Sequence, residues 1–115
     1  MTNPIRGEVW WVQFDPAVGE EIQKTRPAVV VNAEDVGKLE LRIVVPITDW
    51  KDRYKDYLWC VCLSPDVNNG LDKEGAADCF QVKSVSVERF KEKIGVLDAD
   101  QIQEITSAIG LCVGF

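Results

Sequence analysis

Over most of the chain the apolar residues come in short runs rich in β-branched and aromatic side chains, a pattern that predicts strands. The first run is Gly7–Phe14, and Asp15-Pro16 ends it. A polar loop, Ala17 to Thr25, leads to a second run, Arg26–Asn32, whose proline stands near the start, where a missing N–H is tolerated. The third is Leu39–Thr48, followed by a charged, aromatic loop, Asp49–Asp56, and a fourth run, Tyr57–Leu63. Ser64-Pro65-Asp66 and Asn68-Asn69-Gly70 mark turns. A fifth strand is expected over Ala77–Val87, a short turn around Glu88-Arg89-Phe90, and a sixth strand over Ile94–Leu97.

Only the C-terminal segment changes period. Asp98 can cap a helix with Gln101 as its capping-box partner, and Leu97 and Ile102 fall at the staple positions. Ile102, Ile105, Ile109 and Cys112 then make one apolar stripe. Short strands closed by one terminal helix predict a mainly β fold: a small, strongly curved β-barrel with a helical cover.

The chain has 115 residues, which fits one domain, residues 1–115, with a core large enough to need no disulfide or metal. Its net charge of −6 excludes a globally basic nucleic-acid coat protein, but a local basic cleft can still act against an acidic background. There is no histidine, so the usual general acid–base group and the commonest metal ligand are missing. The first residues contain no apolar run and no stretch has the length to span a bilayer, so a cytoplasmic protein with reduced thiols is expected. Cys60, Cys62, Cys79 and Cys112 lack C-x-x-C spacing and read as small buried apolar side chains rather than a zinc site.

Three segments hold candidate chemistry. Glu21 and Arg26 stand toward the two ends of one loop. Arginine can grip a phosphate through two parallel hydrogen bonds, and Glu21 could hold it or take a proton; an exposed carboxylate and a salt-bridged arginine is the plainer reading. Lys24 in the same loop is a further cation that could meet a phosphate of a nucleic acid. Val45-Pro46-Ile47-Thr48 ends in a hydroxyl that could donate to a phosphate oxygen or simply close a turn. In Gln81-Val82-Lys83, Gln81 and Lys83 share one face if the segment is a strand, and line either a polar groove or a solvated surface. Trp50, Arg53 and Tyr54 alternate aromatic and basic character, suited to stacking unpaired bases and neutralising phosphates, although Asp49, Asp52 and Asp56 dilute the charge.

In order and spacing, Gly7-Glu8-Val9-Trp10, Phe14-Asp15-Pro16, Gly19, Glu21, Arg26-Pro27-Ala28-Val29-Val30, Val45-Pro46-Ile47-Thr48, Asn69-Gly70-Leu71 and Gln81-Val82-Lys83-Ser84-Val85 resemble the MazF/PemK family of bacterial toxins, the mRNA interferases. The resemblance runs from Gly7 to the terminal helix. It implies an SH3-like barrel (the plasmid-toxin fold), a homodimer, and sequence-specific cleavage of single-stranded RNA. It also implies a cognate antitoxin whose tail blocks the substrate groove. The family's catalytic arginine falls on Arg26, its threonine on Thr48 and its loop glutamate on Glu21, with Gln81 and Lys83 on the groove-lining strand. Where the family often has a small polar residue this chain has Glu20, and where it often has Gln and a glycine the chain reads Ile22-Gln23-Lys24-Thr25.

Such chemistry suits a chain without histidine. The RNA 2′-OH is an internal nucleophile, and the protein must align it and stabilise charge on a phosphorane-like transition state. No metal or other cofactor is expected. Two alternatives of another class stay open: a non-catalytic toxin on the same fold that binds DNA gyrase, and an adaptor that binds only a peptide or nucleic acid.

Overall fold

A computed structural model of the chain describes residues 2–36 and 39–115. Among these, seven strands form one antiparallel sheet: β1 (Glu8–Gln13), β2 (Thr25–Val30), β3 (Leu41–Asp49), β4 (Cys60–Leu63), β5 (Gly75–Asp78), β6 (Lys83–Ser86) and β7 (Phe90–Val96). The helix α1 spans Ala99–Cys112. The strands run in the order β4-β5-β3-β2-β1-β7, and β6 pairs with β3 beside that path. The mainly β class with a terminal helix is thus as expected. The closed barrel is not: the ladder ends at β4 and β7 without joining them.

The central strands read as continuous apolar runs because both of their faces are covered. Val29, Val45 and Ile47 point into a cluster with Val61, Leu63, Leu97 and the α1 residues Ile102, Ile105 and Ala108. Their neighbours Ala28, Val30 and Val44 point the other way, to Val12, Phe14, Ile22, Val85 and Phe90. The helix starts as its sequence dictates: Asp98 accepts from the Gln101 N–H at 2.8 Å and the Gln101 side chain accepts from the Asp98 N–H at 2.9 Å.

The expected strand Ala77–Val87 is broken. The Asp78 carboxylate accepts the Phe80 N–H at 3.2 Å and closes a 3₁₀ turn over Cys79–Gln81. The strand pieces on either side, β5 and β6, pair with successive stretches of the same edge of β3: Leu41–Val44 with β6 and Ile47–Asp49 with β5. Gln81 therefore lies in a turn and Lys83 at a strand start, so they are not same-face strand neighbours. The loop after β3 also contains a 3₁₀ turn, Asp52–Asp56, and the fourth strand starts at Cys60 rather than Tyr57.

One buried acid ties the sheet edge together. Glu8 accepts the Ile5 N–H and the Trp10 indole N–H, each at 3.0 Å, and meets Lys93 of β7 at 2.9 Å. Burial alone would raise its carboxyl, but the Ile5 N–H, Lys93 and the Trp10 indole outweigh it and hold the group below its ordinary 4.5. A carboxyl depressed in the folded state stabilises the fold above its unfolded value and loses that contribution as pH falls through the folded one. Thermal stability should therefore drop below about pH 4.5, and Glu8→Gln should flatten that part of the melting-temperature profile. An unchanged acid limb in the variant would show that Glu8 contributes no pH dependence.

Candidate active site

The site begins where a ladder stops. The β2–β3 register begins at Ala28↔Pro46 and runs on through Val29↔Val45 and Val30↔Val44, with the Val31 N–H donating to the Ile43 carbonyl beyond it at 2.9 Å. Proline brings no N–H to extend a ladder, and the two segments that leave the Ala28↔Pro46 pair are Arg26-Pro27 on one side and Ile47-Thr48 on the other. Beyond the fork, Arg26 is held by β1, opposite Val12, and Thr48 by β5, opposite Ala76. Both line the cleft of about 380 Å³ that opens between the prongs. Residues 22 positions apart in sequence are thus brought together by strand geometry alone.

Arg26 is partly exposed, and its Nε donates to the Gln23 carbonyl at 3.3 Å. Among the described residues it forms no ion pair, so its terminal nitrogens remain available for an oxyanion. Trp11, Ile47, Gly70, Leu71, Lys73 and Gly75 are among the other residues that line the cleft. Lys73 meets Asp49 at its rim, at 3.2 Å, between two well-exposed side chains. Trp11 was hidden in the sequence inside an apolar run. The available signal is the doublet Trp10-Trp11, since consecutive strand residues point to opposite faces: Trp10 packs edge-on against Phe90, and Trp11 lines the cleft.

Glu21 does not face this cleft. Its Oε1 accepts the Val18 N–H at 2.7 Å, folding the carboxylate back into its own loop. It lines a separate cleft of about 390 Å³ with Glu20, Phe80, Gln81 and Lys83. The structure so divides the candidates into two groups: Arg26 and Thr48 in one cleft, Glu21, Gln81 and Lys83 in the other. Lys24, exposed in the loop between them, adopts φ of 68°, a left-handed conformation where glycine is the usual occupant. Its carbonyl accepts the Phe14 N–H at 2.8 Å.

Trp50, Arg53 and Tyr54 do come together. The Trp50 and Tyr54 rings meet edge-on at 5.8 Å and the Arg53 guanidinium lies 5.2 Å from the Tyr54 ring. The row of rings continues through Tyr57 and Trp59, stacked at 4.9 Å, to Phe80.

The thiols do not join either group as nucleophiles. Burial, with Asp78 and Cys112 nearby, pushes Cys60 up to about 11, and burial with Cys112, Asp78 and Cys60 nearby pushes Cys79 to about 12. Cys62 is exposed rather than buried as the sequence suggested, with its Sγ 3.5 Å from Glu74.

The chain has counterparts among known proteins. Endoribonuclease MazF9 of Mycobacterium tuberculosis (strain ATCC 25618 / H37Rv) is 34% identical over 112 residues, covering 92% of each chain. Endoribonuclease toxin MazF of Escherichia coli (strain K12) is 33% identical over 113 residues, covering 96% of this chain and 95% of the relative. The crystal structure of MazF (Form-I) from Deinococcus radiodurans superposes with a TM-score of 0.80 over 97% of each chain, at 24% identity, which establishes the shared fold. Residues 5–113, from just before β1 to the end of α1 and including both prongs of the fork, match one family description. The chain belongs to that family, the PemK-like, MazF-like toxins of type II toxin–antitoxin systems.

Proposed function

We propose that this chain, as a single toxin domain over residues 1–115, cleaves single-stranded RNA in the Arg26–Thr48 cleft. The observation that carries this reading is that the two prongs of the fork bring Arg26 and Thr48 to the lining of one cleft, with a guanidinium that forms no ion pair among the described residues. The 2′-OH oxygen attacks the adjacent phosphorus, forming the 2′-O–P bond as the P–O5′ bond breaks. Arg26 clamps the non-bridging oxygens where negative charge builds, and Thr48 donates a second hydrogen bond. The leaving 5′ oxygen takes up a proton and departs as a 5′-OH, and the other product is a 2′,3′-cyclic phosphate, which becomes a 3′-phosphate where a water then opens the ring. Arginine is a poor base at its pKa above ~12. With Glu21 turned to the Val18 N–H, we assign acceptance of the 2′-OH proton to water and give Glu21 a place in the neighbouring RNA-contacting cleft with Lys83. Lys24 and Arg53 add phosphate contacts.

We assign this toxin a cytoplasmic location, a cognate antitoxin that competes for the RNA clefts, and a homodimeric state. No helix among the described residues is long and apolar enough to cross a membrane. An apolar surface formed by Leu58, Trp59, Phe80, Leu111 and Cys112 supports the dimer: Leu58 is 75% and Phe80 71% exposed, a costly display unless a second copy covers it.

The test is end-mapping of a long mixed RNA after incubation with the pure protein, with and without EDTA. Cleavage at a recurring sequence, unaffected by EDTA and without a histidine-type step near pH ~6.5, is the expected result. Loss of cleavage in EDTA with recovery in Mg²⁺ would refute the arginine-based mechanism. No cleavage, with binding to gyrase, would move the protein to the non-catalytic class.

The aromatic row gives a separate expectation. Stacking on an unpaired base contributes about 1–3 kcal/mol, so replacing Trp50 and Tyr54 together by alanine should shift or relax the cleavage motif more than it slows cleavage. A motif and affinity both unchanged would leave the row as surface packing.

A further inference from the structure

The Gln81 side chain makes two bonds across the molecule. Its Oε1 accepts the Ile22 N–H at 2.6 Å and its Nε2 donates to the Glu20 carbonyl at 3.0 Å. One planar amide thus holds the β1–β2 loop on both sides of Glu21. The turn that carries it is fixed in turn by Asp78, whose carboxylate accepts the Phe80 N–H, and Ile22 is anchored by packing against Val12, Phe14 and Val30. The residue after Ile22 is Gln23, and its carbonyl accepts the Arg26 Nε–H at 3.3 Å.

We infer that Gln81 is a positioning residue for Arg26: its amide fixes Ile22, Ile22 places the Gln23 carbonyl, and that carbonyl orients the guanidinium toward the cleft. The inference rests on the RNA-cleaving reading above. It also gives the amide a role apart from direct RNA contact, since these two bonds leave it one N–H and one lone pair. A misplacement of ~1 Å at a group that must meet a transition state can cost ~10²-fold, whereas substrate binding spread over many contacts changes little.

The experiment uses three proteins, wild type, Gln81→Ala and Gln81→Glu, and three readouts. Amide hydrogen exchange at Ile22 reports on the bond itself. Single-turnover cleavage reports on Arg26, and affinity for an RNA with a 2′-deoxy nucleotide at the cut site reports on contact. In Gln81→Ala, Ile22 exchange should rise at least tenfold and the cleavage rate fall about 10–100-fold, with affinity changed less than about threefold. Gln81→Glu retains an acceptor for Ile22 but loses the donor to Glu20, so Ile22 should stay protected and the rate should lie between the other two. Unchanged Ile22 exchange in Gln81→Ala would overturn the inference. So would faster exchange with a wild-type rate, or a loss confined to affinity. A wild-type protein that cleaves no RNA would instead overturn the functional reading, because Ile22 exchange is measured without RNA.

Discussion

Arg26→Ala should lose RNA cleavage by about 10²–10³-fold, the usual cost of deleting one oxyanion donor, while keeping native circular dichroism and melting. The side chain is partly exposed near the start of β2, among the described residues its one hydrogen bond runs to the Gln23 carbonyl, and it belongs to neither buried cluster. Little packing is lost when it goes. Arg26→Lys should not restore the rate, because an ammonium keeps the charge and loses the two-pronged geometry. Thr48→Ala should cost less, since a neutral hydroxyl donates a weaker bond than a charged group. Single-turnover cleavage of a mapped RNA by the three variants decides this. A folded Arg26→Ala protein with the wild-type rate would move the chemistry out of the cleft.

Gly70→Ala should have the largest effect on stability. Gly70 has φ of +72°, and a Cβ there would stand 1.9 Å from the Ile94 carbonyl oxygen and 2.6 Å from its carbon. Both are backbone atoms of β7, which cannot swing aside as a side chain can. The contact is reciprocal: a Cβ on Gly95 would meet the Asn69 carbonyl carbon at 2.2 Å. Fully buried Asn69 locks the turn, with Oδ1 accepting the Leu71 N–H at 3.0 Å and Nδ2 donating to the Ser64 carbonyl at 2.9 Å. Gly19 provides the comparison, since its φ is +60° but nothing lies within 4 Å of the added carbon. Gly19→Ala should cost about 1–2 kcal/mol for the left-handed backbone alone. Gly70→Ala should cost about 4 kcal/mol or more, about 15 °C of melting temperature, or leave the chain unfolded. Equal melting temperatures for the two variants would contradict the close packing of the turn on β7.

The strands around the core were legible because their residues are β-branched and buried on both faces, and α1 because its capping residues and stripe agree. The break at Cys79–Gln81 was not. Ala77–Val87 reads as one strand, and only the Asp78 bond to the Phe80 N–H, with β3 offering one edge to two partners, shows why it cannot be one. Arg26 and Thr48 stood out by residue type and by resemblance. Their meeting required knowing where the β2–β3 ladder ends, a non-local fact. Glu21 was legible as a loop carboxylate, but its direction depends on the Val18 N–H, a local bond that spacing does not reveal.

The fork has a mechanical consequence. Arg26 and Thr48 are each tied to a different outer strand, and no ladder bond joins the prongs beyond Ala28 and Pro46. Their separation is therefore set by how tightly the sheet bends about β3, so the cleft behaves as a caliper whose spring is the core. Ile47, 3% exposed at the root of one jaw, lies where a Cβ on Gly75 would approach its methyl to 2.6 Å. Changes in side-chain volume at this root act on the gap between guanidinium and hydroxyl through the backbone of the jaw, and also on the cleft wall that Ile47 and Gly75 help to form.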